Sequence, residues 1–309
     1  MRFDLQLFGL PAAEYAPLAV HAEQLGFHTV WLADHVITPA SYAPTYPYRS
    51  SGDPGIRPST PLADVTVTLG HLAARTTRIR LGTGVLIAPL RDPFHIARAW
   101  ASLQQLSTGR AVIGVGVGWM AEEFAALGAD FGTRGARTDE MLRVLDLLWS
   151  GRPVAHHGRF FDFPTVHFGA APQPPVPVVV GGHSQAALRR AARHGAGWFG
   201  PDVDLATSAR LCARITALRE ELGRADDDFT HHVRLSGEIS VAAVEAYRDA
   251  GLDHLVVAPF TRLPPAATRA DRLAALDSVA ERLASLWPDP APTGRPAGER
   301  TGRTTGENV

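Results

Sequence analysis

Eight times along this chain a short apolar run gives way to a stretch with helical spacing. The apolar runs cover 3–8, 29–33, 79–85, 111–115, 178–180, 197–199, 230–235 and 254–258. The helical stretches cover 13–25, 61–75, 95–106, 137–149, 184–194, 205–222, 241–250 and 269–286, with an extra short one at 122–127. In the first, Tyr15, Leu18, Ala19, Ala22 and Leu25 recur at helical spacing and Gly26 marks the stop. Alternation of strand and helix implies a parallel sheet covered by helices. Eight repeats predict a closed (β/α)8 TIM barrel rather than an open doubly wound sheet, and 309 residues suffice for one barrel with insertions.

One segment breaks the rhythm. Residues 154–168 alternate and carry His156, His157, Phe160, Phe161, Phe163 and Phe168, which reads as a small hairpin inserted before the fifth strand. A loop at 36–59 holds Tyr42, Tyr46, Tyr48 and five prolines, a length expected of functional or mobile loops. Residues 1–287 form the expected barrel domain. Residues 288–309, rich in Pro, Gly, Arg and Thr, form an expected disordered tail.

Composition narrows the function. A net charge of −1 gives no electrostatic basis for binding nucleic acid or an anionic membrane. All 30 basic residues are Arg, which excludes a Schiff-base or P-loop lysine. The single Cys212 excludes an intramolecular disulfide and a Cys-rich metal site, and it falls in a helical pattern as a small buried residue. No apolar run approaches the roughly 20 residues of a membrane span, and the N-terminus starts as a strand, so a cytoplasmic protein is expected.

A barrel places its active site at the C-terminal ends of its strands. The richest end is Arg110–Trp119, where an apolar strand runs into Gly114, Gly116 and Gly118. Glycines there remove side chains where a ligand or another backbone comes close. The spacing is G-x-G-x-G, not a dinucleotide fingerprint. Asp34-His35 ends the second strand, and a His at that place suits proton transfer. Gly84-Val85 ends the third, where a bulge or unusual peptide bond would push backbone into the pocket. Gly181-Gly182-His183-Ser184 offers free N–H groups and a helix start that suit phosphate, or a plain Ser cap. Trp119, Trp198 and Phe199 are candidate walls for a flat ring. Neighbouring strand residues point to opposite faces, so neither His156-His157 nor His231-His232 chelates together, and no metal is expected. No G-x-S-x-G elbow occurs.

Several motifs in order resemble the bacterial luciferase-like monooxygenase superfamily: Trp31–Val36, Arg78–Val85, Leu106–Arg110, Gly114–Trp119 with Glu122-Glu123-Phe124, Arg134–Glu140 and Gly195–Phe199. They look most like its actinobacterial branch, which uses the deazaflavin F420. The resemblance covers about 3–286. It implies a barrel with an insertion near the fifth strand, and a hydride-transfer oxidoreductase reducing a C=C or C=N bond of a small molecule. FMN with oxygen, in a monooxygenase, is the alternative, and a cofactor-carrying barrel without turnover the non-enzymatic one. By the same resemblance, Asp34 and His35 face the cofactor ring, with His35 as acid or base and Asp34 orienting that His or the ring. Gly84 and Val85 back the ring. Gly116, Val117, Gly118, Trp119 and Glu122 lie beside the cofactor's side chain. Gly181, Gly182, His183 and Ser184 bind its phosphate, and Trp198 lines the cavity. Relatives that oxidise sugar phosphates carry a Glu where Gly118 stands here, and no lysine is present to meet a sugar phosphate, which argues against glucose 6-phosphate. Such relatives often form homodimers.

Overall fold

Phe3, Leu5 and Leu7 face outward along the first strand while Asp4 and Gln6 face inward, and the pattern repeats around the molecule. The computed structural model describes residues 1–287 apart from Pro44, Arg49, Ser50, Asp253 and Pro265. The tail expected at 288–309 lies outside the described residues. Nine parallel strands are β1 (Arg2–Leu7), β2 (Thr29–Leu32), β3 (Arg80–Thr83), β4 (Leu86–Ile87), β5 (Ala111–Gly116), and, beyond an inserted hairpin of β6 (Val154–His157) and β7 (Asp162–Val166), β8 (Val178–Gly181), β9 (Gly197–Phe199), β10 (Thr230–Arg234) and β11 (His254–Val257). The order β3-β2-β1-β11-β10-β9-β8-β5 closes on itself through β3–β5 pairing, so eight strands form a parallel barrel with β4 attached to β5. This is the (β/α)8 barrel that the eightfold alternation predicts.

The ring outside consists of α1 (Ala12–Leu25), α2 (Val65–Arg75), α3 (Pro93–Leu106), α4 (Ala121–Ala126), α5 (Arg134–Leu148), α6 (Gln185–His194), α7 (Leu205–Glu221), α8 (Val241–Asp249) and α9 (Arg269–Arg282). Their apolar faces meet the outward strand residues in one large core, while Trp31, Val112, Val179, Phe199 and Val256 fill the inside. Val178 and Val180 point outward and Val179 inward, which is the two-residue period of a strand buried on both faces. Among the described residues no helix is long and apolar enough to cross a membrane.

Helix starts follow their caps. The α2 helix begins at Val65, four residues after the expected start, because Asp64 accepts the Val67 N–H and caps it there; such a cap is worth about 1 kcal/mol. Ser184 caps α6, Asp204 α7, and Thr268 with Asp271 closes a capping box on α9. The third strand, expected to run through 79–85, is interrupted: β3 stops at Thr83, the Gly84–Val85 peptide is cis, and the chain resumes as β4. That detour explains the glycines of β5. A Cβ at Gly114 would sit 1.8 Å from the Thr83 carbonyl oxygen, and one at Gly116 2.3 Å from Val85.

The hairpin is tied down by Glu140 of α5, which accepts the N–H groups of Arg159, Phe160 and Phe161 and lies 3.2 Å from His156 Nε2. Arg110 plugs the N-terminal side of β5. Its guanidinium donates to the carbonyls of Ser107, Ile79, Ala73 and Thr76. Both residues hold the frame.

Candidate functional site

A cavity of about 670 Å³ opens at the C-terminal ends of the strands. Most of the candidates named from sequence line it: Asp34, His35, Gly84, Val85, Gly116, Val117, Gly118, Trp119, Glu122, Gly181, Gly182, His183 and Ser184. Trp198 does not. It is fully buried in the core between barrel and helices, and its indole N–H donates to Gly182 O at 2.7 Å. On a three-residue strand, side chains alternate, so it is the next residue, Phe199, that enters the cavity.

His35 stands at the edge of the cavity, held by a carboxylate. Its Nδ1 lies 2.9 Å from Glu123 Oε2, and Glu123 is fully buried. The other Glu123 oxygen accepts the N–H groups of Val36, at 2.7 Å, and Ile37, at 3.4 Å. One carboxylate therefore fixes the ring and starts the loop that follows it. With Nδ1 held by Glu123, Nε2 is the ring nitrogen outside that contact. Asp34 lines the cavity too, but it is Glu123 that bonds the His35 ring. The Asp34 carboxylate is forked by Arg91, at 2.7 and 2.8 Å, and accepts Ile87 N–H at 2.9 Å. Burial raises its pKa, and the Arg91 charge with these hydrogen bonds pulls against that rise. Asp34 thus ties β2 to the segment just after the cis peptide, and Glu123 orients His35.

Sequence reading selected Glu122 and passed over Glu123. The two adjacent carboxylates differ only in which side of a six-residue helix packs on the barrel, and no periodicity resolves that over so short a span. Glu122 Oε1 accepts Ala43 N–H at 2.8 Å, which anchors the 36–59 loop. That loop lays a string of rings over the mouth: Tyr42 and Tyr46 against Trp119, Tyr46 against Tyr48, Tyr48 against His183. Burial pushes the Tyr48 hydroxyl up to about 12, and burial also lowers His183.

The lining fits a flat ring with an anionic tail. Val85, Phe199 and Trp119 give apolar walls, and the bare Gly116 and Gly181 make room for the Val85 side chain between them. The turn after β8 presents Gly182 at φ +106°, Ser184 and the start of α6. Arg134 adds a positive charge at the same rim. A family model described as luciferase-like monooxygenase matches residues 7–297.

The chain belongs to the luciferase-like monooxygenase family.

Among its relatives in that family, an uncharacterised Mycobacterium tuberculosis protein is 34% identical over 272 residues, covering 87% of this chain and 94% of its own. A protein named F420-dependent glucose-6-phosphate dehydrogenase, from Kineococcus radiotolerans, is 34% identical over 242 residues, 73% of this chain and 66% of that protein. The coenzyme F420-dependent tetrahydromethanopterin reductase of Methanopyrus kandleri superposes with a TM-score of 0.74 at 17% identity, over 93% of this chain and 99% of that one. At that identity the likeness concerns the fold. Within this luciferase-like barrel, a second polar cluster sits at the opposite end. Asp4, His28 and His254 bring potential ligand atoms within 4.8 Å of one another. Three distant segments form the trio, which spacing could not reveal. Arg2 contacts His28 Nε2 at 3.2 Å, so a cation already stands beside it.

Proposed function

We propose that this protein is an oxidoreductase that uses F420 and transfers a hydride between that deazaflavin and a small organic substrate, reducing a C=C or C=N bond. The observation that carries the reading is His35, oriented by a buried carboxylate and facing a cavity whose other parts suit a flat ring and an anionic tail. When bound, the cofactor supplies the hydride chemistry, and the protein supplies position, dryness and a proton. Val85, Phe199 and Trp119 would hold the ring. Ser184, the Gly182 turn and Arg134 would hold the tail. His35 Nε2 would give or take the proton at the substrate. The 36–59 loop, latched by Glu122 and Glu123, would exclude water.

Kinship with a glucose-6-phosphate dehydrogenase supports F420 more than it supports that sugar. No lysine is present, and Gly118 has φ +77° with Phe124 and Ile87 where a Cβ would stand, so the position admits no acidic side chain in this backbone. The test is purified protein offered F420 and FMN in parallel, each in oxidised and reduced form. Saturable binding of F420 and substrate-dependent oxidation of its reduced form are expected. Retention of FMN with oxygen consumption would replace the reading by a monooxygenase.

A further inference from the structure

The far wall of the cavity, where β1, β10 and β11 end, holds one cation, Arg234. Its Nη1 donates to Gln6 Oε1 at 2.6 Å, and Gln6 in turn donates through Nε2 to Gly84 O at 3.2 Å. Its Nε lies 3.6 Å from Asp202 Oδ2, and Asp202 also lines the cavity. Nη2 has no protein acceptor among the described residues, although the side chain is only 19% exposed. Phe8 and Phe260 make the rest of this wall apolar. Arg134, at the tail end, donates through Nε to Gly118 O and through Nη1 to Phe131 O and lies over the Phe131 ring.

A guanidinium nitrogen without a protein acceptor in a cavity wall is a strong donor that a ligand can use. The charge of that acceptor follows from Asp202. Arg234 and Asp202 already form a net-neutral pair, so a second carboxylate or a phosphate would stand next to Asp202 and meet like-charge repulsion. A neutral carbonyl oxygen accepts the same charge-assisted hydrogen bond without that penalty. Gln6 fixes the fork, since its amide is oriented by the Gly84 carbonyl. We propose that Arg234 is a specificity residue that binds the carbonyl oxygen of a neutral, largely apolar carbonyl compound. The proposal rests on the oxidoreductase reading for the word substrate, and on the Arg234–Asp202–Gln6 geometry for the chemistry.

The test is a binding measurement on the full-length protein, with and without saturating F420. The probes are acetophenone and its isostere α-methylstyrene, in which a methylene replaces the carbonyl oxygen, and binding is read by quenching of tryptophan fluorescence. Acetophenone is expected to bind about tenfold or more tighter to the wild type, the worth of one hydrogen bond to a charged group. Arg234→Met should remove the difference while the F420 titration stays as in the wild type. Asp202→Asn, which leaves the cation uncompensated, should admit benzoate that the wild type rejects. Equal affinity of the two probes for the wild type would overturn the proposal, as would tighter binding of benzoate or inorganic phosphate than of acetophenone. Loss of F420 binding with the carbonyl preference intact would instead count against the redox reading alone.

Discussion

The same barrel carries a buried carboxylate–histidine pair at each end, and the two pairs are built for different work. At the C-terminal rim His35 meets Glu123 at 2.9 Å beside the open cavity. At the other end His232 meets Asp4 at 2.7 Å, and Asp4 also takes the Trp31 indole N–H at 3.0 Å. Burial by itself would raise the pKa of Asp4; hydrogen bonds and charge from His232 and His28 reverse that and hold it far below the usual carboxylate range. The lower carboxylate is locked against partners from two parts of the chain, His28 with Trp31 and His232. The upper one spends half its capacity on a loop and half on a ring that can reach a ligand. Proximity of acid and imidazole therefore does not make a site; access to a cavity does.

Breaking the upper pair should cost turnover. His35→Ala should lower turnover by about 10²- to 10⁴-fold, the usual contribution of a positioned acid or base, with F420 affinity retained in a fluorescence titration. Breaking the lower pair should cost stability. Asp4→Ala leaves His232 and Trp31 without their acceptor and should lower the unfolding free energy by about 3–5 kcal/mol in urea. The pH dependence sharpens the contrast. Because the folded-state pKa of Asp4 is depressed, its contribution is complete above the unfolded value near 3.9 and is lost as the pH falls toward the folded value. Wild-type stability should therefore decline as the medium is acidified below about 4, and Asp4→Asn should flatten that decline.

Smaller effects separate the two acidic neighbours on α4. Glu123→Gln should lower turnover by about tenfold to a hundredfold, the worth of one charge-assisted hydrogen bond, and should move the pH profile, since the group that orients His35 loses its charge. Glu122→Ala should raise KM by no more than about tenfold, the loss of one hydrogen bond to a loop, and should leave that profile in place. If both variants shift the profile alike, Glu123 has no special tie to His35. Cys212 should do least: burial pushes its thiol up to about 12, so a thiol reagent should leave the native protein and its activity untouched.

The barrel was legible because its signal is repeated. Each strand–helix unit carries the same apolar runs, and eight of them leave few closures. The rim residues were legible for the same reason, since a strand end can be located once the strand is. Three things were not. Which face Trp198 takes depends on the phase of a three-residue strand. Which of Glu122 and Glu123 turns inward depends on how a single turn of helix docks. The Asp4 cluster joins β1, β2 and the last two strands, and residues so far apart in sequence declare no contact until the barrel closes. Gly114 shows the reverse case: its lack of a side chain was expected to make way for a ligand or another backbone, and the occupant is the Thr83 carbonyl of the neighbouring strand.

Amide hydrogen exchange of the full-length protein with and without F420 tests the division of labour between the two ends most directly. Slower exchange on addition of F420 is expected at 34–37, 84–87, 116–119 and 181–184, with 28–29, 230–232 and 254–256 unchanged. Protection confined to the lower segments, or spread equally over both ends, would contradict the placement of the cofactor at His35.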